Sequence, residues 1–210
     1  MVIDDNKKLE VLHDHYKESF LYIREREKQR DRLFMFVIAL IGLLWVEIQY
    51  SYIFPGVLRN IKLEFVELNV SIMPISVFLD ITWTYLFVVV LKYCQVSINI
   101  EGQYNYLHNL EEKISNFFQD EKIYCREGKA YLDNYPLFSN LVWMFYVFFF
   151  PQIVIISTIL IIYFEWSWIP LIHEIAKYHL IYDSVLALGI TLSFFFYRLL
   201  PMIKSIFSKK

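Results

Sequence analysis

Four long apolar blocks separated by polar segments restrict the folds open to this chain more than any other feature of its sequence. The blocks cover residues 33–54, 75–91, 137–164 and 180–200. A bilayer core of about 30 Å is crossed by about 20 mostly apolar helical residues, and each block is close to that length. Four buried helices of a soluble bundle would instead show a polar stripe at every third or fourth position, and the stretches 34–46 and 153–162 show none. The sequence therefore predicts an all-α fold, a four-helix transmembrane bundle with cytoplasmic juxtamembrane helices.

The distribution of lysine and arginine predicts how the chain is oriented. Basic residues are frequent before the first block, between the second and third blocks and in the tail, and they are scarce in the other two connections. Because lysine and arginine are retained on the cytoplasmic side, we expect both termini in the cytoplasm and a multi-pass protein of the cell inner (plasma) membrane. The first apolar run begins only at residue 33, behind a charged segment, so we expect an uncleaved anchor rather than a signal peptide.

This topology divides the chain into five parts. They are a cytoplasmic N-terminal helix at 1–32, a first transmembrane hairpin at 33–96 with an external loop at 55–73, a cytoplasmic helical region at 97–136, a second transmembrane hairpin at 137–200 and a basic cytoplasmic tail at 201–210. The N-terminal helix is either held near lipid phosphates by its arginines or is a stem that binds other proteins. The external loop is apolar, and its pattern fits a short strand and an interfacial helix equally well.

One face of the cytoplasmic region 97–136 is a candidate docking surface. Apolar and aromatic residues recur there at helical spacing, while Glu111, Glu112 and Lys113 lie on the other side. The residues of this face are Tyr104, Leu107, Leu110, Ile114 and Phe117. We expect this face to bind a cytoplasmic protein partner.

Three acidic residues lie inside apolar blocks, where ionisable side chains are costly and usually face protein or water. At ~1.5 Å of rise per residue, Glu47 and Asp80 both lie about 10 Å below the external surface, and Asp183 is slightly shallower. Two interpretations remain open. In the first, the first span ends near Trp45, Glu47 lies among the lipid headgroups and Asp80 caps the second helix. In the second, the acids line a vestibule or a pore at the centre of a homo-oligomer, where acidic rings attract cations.

Pro151 lies near the centre of the third block. Proline removes one backbone hydrogen bond and favours a kink, which membranes tolerate where neighbouring helices cover the freed carbonyl. The residue is either a passive kink in a tilted helix or a candidate hinge for gating.

The sequence shows no pattern typical of an enzyme. It contains no phosphate-binding glycine loop, no nucleophile elbow and no metal-binding quartet, and its two cysteines, at positions 94 and 125, lie far apart. His173 and His179 are six residues apart and cannot share a helix face as zinc-protease ligands do, so we interpret them, with His13 and His15, as surface histidines. We expect no catalytic residue, no cofactor, no metal and no direct binding of nucleic acid.

The plan of the chain resembles the small multi-pass membrane effectors of bacterial antiphage defence systems, namely those associated with retrons, with cyclic-oligonucleotide signalling or with Kiwa systems. The resemblance lies in the small size, the few spans, the charged cytoplasmic helices and an aromatic-rich composition. It implies a membrane effector or sensor that an upstream component triggers from the cytoplasm after infection, and that then perturbs or permeabilises the membrane.

Three classes of function are therefore open. They are a membrane-permeabilising effector, a membrane scaffold that anchors a cytoplasmic protein, and a small ion channel or transporter. A carrier of organic solutes would show Gly or Pro interruptions in paired spans, and only Pro151 is central here. In each class we expect the lipid bilayer as a partner, and we expect a homo-oligomer.

Overall fold

Four long helices make up the part of the chain that the structure describes, residues 5–49, 75–116, 141–142, 144–168 and 175–207 of a computed structural model. They are α1 (Asp5–Gln49), α2 (Ile75–Ser115), α3 (Phe150–Trp168) and α4 (Ile175–Phe207), and a π-helical turn, Phe145–Phe149, directly precedes α3. These residues contain no β-strand, so the all-α prediction is confirmed for them.

Three segments of these helices are long and apolar enough to cross a membrane. They are Ser76–Ser115, Phe145–Ser167 and Lys177–Leu199. The first predicted span, 33–54, is described only as far as Gln49. The external loop 55–73, all of the stretch 117–136 with Phe117, and the end of the basic tail lie outside the described residues.

The first two helices are longer than the sequence pattern predicts. The N-terminal helix and the first apolar block form one continuous helix of 45 residues, and α2 continues past residue 91 to a length of 41 residues. The predicted boundary between 33–96 and 97–136 therefore lies inside one continuous helix, since the stretch contains no proline and Gly102 alone does not end a helix. At ~1.5 Å per residue each rod is about 60 Å or more in length, roughly twice the thickness of a bilayer core.

The chain divides into two compact units. Unit 1 consists of Met1–Arg32 and Gln95–Val147, and unit 2 consists of Leu33–Cys94 and Phe148–Lys210. Both long helices contribute their charged part to unit 1 and their apolar part to unit 2.

The candidate docking surface on α2 is buried inside unit 1. Leu107, Leu110 and Ile114 of α2 are buried, as is Ile23 of α1. The Tyr104 hydroxyl donates a hydrogen bond of 2.9 Å to Glu27 Oε1 of α1. This face thus belongs to the interior of unit 1 rather than to a free surface, because the apolar stripe of α2 packs within its own chain.

Unit 2 exposes many apolar side chains, and its largely apolar interior also contains several polar ones. On α3 the exposed residues include Ile153, Ile156 and Ile159, while Thr158 and Glu165 are buried. Exposed apolar surface of this extent is costly in water, whereas lipid is its natural solvent. Unit 2 is therefore built for a membrane.

An aromatic layer fills one level of unit 2, with one ring from each helix. Phe150 of α3 lies 4.6 Å from Phe34 of α1, 5.1 Å from Tyr93 of α2 and 6.3 Å from Phe194 of α4, measured between ring centroids. Phe150, Tyr93 and Phe194 are almost fully buried. Such tilted and edge-to-face contacts are favourable. The neighbour of Tyr93, Cys94, is a free thiol and is also buried.

Pro151 explains the π-helical turn that precedes α3. Its ring nitrogen carries no hydrogen, so the carbonyl of Val147, four residues earlier, loses its usual helical donor. The turn Phe145–Phe149 lies at this point, and single π-helical turns are typical where the hydrogen-bond ladder of an α-helix is interrupted. The side chain of Pro151 is buried. The role of a gating hinge stays a prediction.

Helices α2 and α4 are in close contact at Gly189. A Cβ atom at this position would lie 2.9 Å from Cε2 of Phe87, closer than carbon atoms pack. The absence of a side chain at residue 189 therefore permits the contact.

Candidate functional site

Each of the four helices contributes one acidic residue to a single cluster in unit 2, which we call the acid layer. Its members are Glu47 of α1, Asp80 of α2, Glu165 of α3 and Asp183 of α4. The side chains of Glu47, Glu165 and Asp183 are each only 2% exposed. Asp183 is close enough to the other three for their charges to repel its own, and Glu165 is close enough to Asp80 and Glu47. The structure thus brings the three acids of the sequence analysis together and adds a fourth.

Two consecutive residues of α2 hold the acids of α1 and α3. Thr82 donates its hydroxyl to Glu47 Oε1 at 3.1 Å, and Trp83 donates its indole N–H to Glu165 Oε1 at 2.9 Å. Each bond satisfies one carboxyl oxygen. The second oxygen, Oε2, is buried in both residues and meets no hydrogen-bond partner among the described residues.

Asp80 is bound on one side by His179. The distance from His179 Nδ1 to Asp80 Oδ2 is 2.6 Å, which requires a proton between the two atoms. The interpretation of His179 as a surface histidine is therefore wrong. The residue lies in the second turn of α4, which begins at Ile175, and not in a loop.

The other side of Asp80 faces a second carboxyl group. Asp183 lies near it, and the Oδ1 atom of each of the two residues is buried without a hydrogen-bond partner among the described residues. A carboxylate only accepts hydrogen bonds, so a bond between two carboxyl groups requires that one of them carries a proton. Asp80 therefore lies in the middle of a row of three titratable groups, His179–Asp80–Asp183.

A groove on the side of unit 2 leads to Asp80. It has a volume of about 520 Å³ and is lined by Val77, Asp80, Ile81, Thr84, Tyr85, Val88 and Tyr182. Asp80 retains 22% of its side-chain exposure. Thr84 gives its one hydroxyl proton to the backbone carbonyl of Asp80 at 2.6 Å, so Tyr182 is the donor in the 2.8 Å bond between the two hydroxyls.

The acid layer and the aromatic layer lie at different levels of unit 2. Along each helix, the acid and the ring are separated by a helical rise of about 20 Å. The ring precedes the acid in sequence on α1 and α3 and follows it on α2 and α4, as antiparallel packing of successive helices requires. The interior of unit 2 is therefore polar at one level and closed by four rings at another.

The positions of the acids bear on the earlier interpretations. Asp80 is the sixth residue of α2 and contacts His179, so it is not the cap of that helix. Glu47 and Asp183 are enclosed by their own chain. Whether the acids lie at headgroup depth or line a pore in a homo-oligomer stays a prediction.

Glu165, His179, Thr82 and Trp83 are the site residues that the sequence analysis missed. Glu165 directly follows the third apolar block, 137–164, so the block does not include it. Its neighbour Trp166 is a residue type that is common at membrane interfaces. One signal was present, because Glu165 ends an apolar run in the same way that Glu47 does.

The chemistry open to this cluster is the binding of cations or protons. Buried carboxylates are stable only when paired, and His179 is the one basic side chain that pairs with an acid of the layer in the part of the chain that the structure describes. Among those same residues, no three His, Cys, Asp or Glu side chains are placed so that one metal ion could bind them all. Comparisons with protein-family models, with curated proteins and with solved structures give no match for this chain.

Proposed function

We propose that this protein is a four-span protein of the inner membrane, with both termini in the cytoplasm, that lets cations cross the membrane when it is triggered from the cytoplasm. The apolar part of α1 is the first of these four spans. The other three are the segments of the later helices that are long and apolar enough to cross a membrane. In this role it serves as the effector of an antiphage defence system of the abortive-infection type. The resemblance of the chain's plan to such effectors supports that setting.

The acid layer is the observation that carries the proposal. Ionisable residues inside membrane segments are rare, and they mark pathways for ions and protons. Here all four helices place an acid at one level, with a groove that opens at Asp80. A purely structural bundle gains nothing from burying Glu47, Glu165 and Asp183 together, because each buried carboxyl costs free energy.

The aromatic layer supplies the closed gate. Phe150 is at its centre, and the π-helical turn and Pro151 flank it on either side in sequence. Irregular turns of this kind separate helical segments that can rearrange. Movement of Phe150 away from Phe34 and Tyr93 would open the interior of unit 2 at this level.

The test is a measurement of membrane potential in bacterial cells that express the chain, alone and together with the genes encoded beside it. We expect depolarisation and growth arrest once the trigger is present. The variant Glu165→Gln is expected to reduce depolarisation at least several-fold, since the amide carries no charge. Glu112→Gln, which changes an exposed acid of α2 in unit 1, is the matched control and is expected to leave it unchanged.

Replacement of Phe150 provides the complementary test. Phe150→Ala removes the central ring of the aromatic layer and is expected to depolarise cells without the trigger. If cells with the trigger keep their membrane potential, or if Glu165→Gln and wild type depolarise equally, cation passage through the acid layer is excluded.

One observation favours the alternative of a membrane scaffold. A surface groove of about 440 Å³ on α1 is lined by Glu25, Arg26, Lys28, Gln29 and Arg32. Three cations in one groove suit an anionic partner or lipid phosphates. A scaffold would bind a cytoplasmic protein stably and would leave the membrane potential unchanged in the same assay.

A further inference from the structure

The acid layer contains more acid groups than the described residues can neutralise. Glu47, Glu165 and Asp183 are buried, and one oxygen of each has no hydrogen-bond partner among the described residues. His179 provides one positive charge at most, and it is shared with Asp80. A buried carboxylate without a partner takes up a proton or binds a cation. Which of the two occurs here depends on how the donors are arranged.

The arrangement does not suit a metal ion. A metal would need several carboxyl oxygens or imidazole nitrogens converging on one point, and no three such groups within the described residues do so. The acids are instead tied up in separate hydrogen bonds, to Thr82, to Trp83 and to His179.

The arrangement suits protons. A proton must lie between His179 Nδ1 and Asp80 Oδ2 at 2.6 Å, and the buried Oδ1 atoms of Asp80 and Asp183, which have no partner among the described residues, are places where a second proton binds. The buried, unpartnered oxygens of Glu47 and Glu165 are further places for a proton, and both residues are near Asp183. Tyr182 borders the same groove from α4.

We propose that His179, Asp80 and Asp183 form a proton-binding site and that the cation which neutralises the acid layer is the proton. This proposal names the cation that the acid layer binds. It rests on the proposed function only for what the site is used for. Uptake occurs from water in the groove: an O–H bond of a hydronium ion breaks, an O–H bond forms at Asp80, and a water molecule is released. Glu47 on α1 and Glu165 on α3 are the acids of the other two helices that lie near this site.

Infrared spectroscopy of the full chain in lipid vesicles tests the proposal. A protonated carboxyl group has a C=O stretching band that an ionised one lacks. At neutral pH we expect this band in the wild type and its partial loss in Asp183→Asn. Glu112→Gln, which replaces an exposed acid in unit 1, is expected to leave the band unchanged. Asp80→Asn, which breaks the same pair, replaces Asp183→Asn if that variant does not fold.

A wild-type spectrum without the protonated band at neutral pH would overturn the proton site, and so would a band that both Asp variants retain in full. This outcome is independent of the proposed function. A chain that depolarises cells but shows no such band keeps cation passage and loses the proton site. A chain that shows the band but never depolarises cells keeps the proton site and loses cation passage.

Discussion

At the scale of single residues, Thr82 and Trp83 show how unit 2 tolerates acids in its interior. Successive positions of a helix point in directions about 100° apart, so two neighbours on α2 reach acids of two different helices. A carboxyl group that lost its donor would be left buried with both oxygens unsatisfied. The free energy of unfolding therefore depends on these donors more than on an average hydrogen bond.

We predict that Trp83→Phe destabilises the protein by about 1–3 kcal/mol, since Glu165 Oε1 would lose the indole N–H at 2.9 Å and the ring would shrink in the core. The midpoint of thermal unfolding in detergent measures the change. Trp166→Phe is the matched control, because its indole is exposed and lies 3.4 Å from Ser184. Equal effects of the two substitutions would contradict the role given to Trp83.

The residues of the acid layer could be predicted from the sequence only in part. Glu47, Asp80 and Asp183 stand out because each interrupts an apolar block, and a helical rise of ~1.5 Å per residue places them at similar depth. Their partners could not be predicted, because the pairing of Asp80 with His179 depends on how α2 and α4 are rotated about their axes. Periodicity fixes which residues share a face and leaves open which face meets which helix.

At the scale of helices, close packing of α2 on α4 depends on one glycine. Most contacts in unit 2 are made by large side chains, as the aromatic layer shows. Gly189 is different, since Phe87 occupies the space that a side chain would take. Small residues let membrane helices approach, and here a ring fills the gap.

We predict that Gly189→Ala lowers the free energy of unfolding by about 1–3 kcal/mol, because its Cβ would lie 2.9 Å from a rigid ring that must then move. Gly42→Ala, with no atom within 4 Å of the new Cβ, is the control. It is expected to be neutral or to stabilise by up to about 1 kcal/mol, since alanine favours a helix. Both are measured by unfolding in detergent, and a loss of stability in Gly42→Ala alone would refute the packing argument.

The candidate docking surface shows what an apolar stripe in a sequence predicts and what it leaves open. The spacing of Leu107, Leu110 and Ile114 indicates an apolar stripe, and the structure has that stripe. The stripe packs inside unit 1, where the hydroxyl of Tyr16 also bonds to Glu111 on the same helix, α2. An apolar stripe predicts that something covers it, and the covering element here is the chain's own.

At the scale of the whole molecule, the exposed apolar surface of unit 2, together with the acids in its interior, is the feature that indicates a membrane. Exposed isoleucine, leucine and phenylalanine side chains cover α3 and α4, and the buried side chains include three acids. In water both arrangements are unfavourable, whereas in lipid the first is favourable and the second marks a functional site.

We predict the orientation as follows. In a Cys94→Ser, Cys125→Ser background, single cysteines at Lys8 and Lys209 are expected to resist a membrane-impermeant maleimide in intact cells, because the proposed orientation places both termini in the cytoplasm. A cysteine at Glu64, in the loop 55–73, is expected to react, and all three react after the cells are lysed. Labelling at Lys8 in intact cells would reverse the topology.

The alkylation rate of the buried Cys94 thiol measures how often the interior of unit 2 opens. Cys94 is the neighbour of Tyr93, a ring of the aromatic layer, and a reagent reaches a buried thiol only when the surrounding structure opens. With Cys125→Ser as the background, we expect its alkylation rate to be slow at rest and at least tenfold faster in Phe150→Ala. Equal alkylation rates with and without Phe150→Ala would mean that Phe150 does not limit access to Cys94. The rate of a simple chemical modification thus reports how often the interior opens, in a chain that needs no added label.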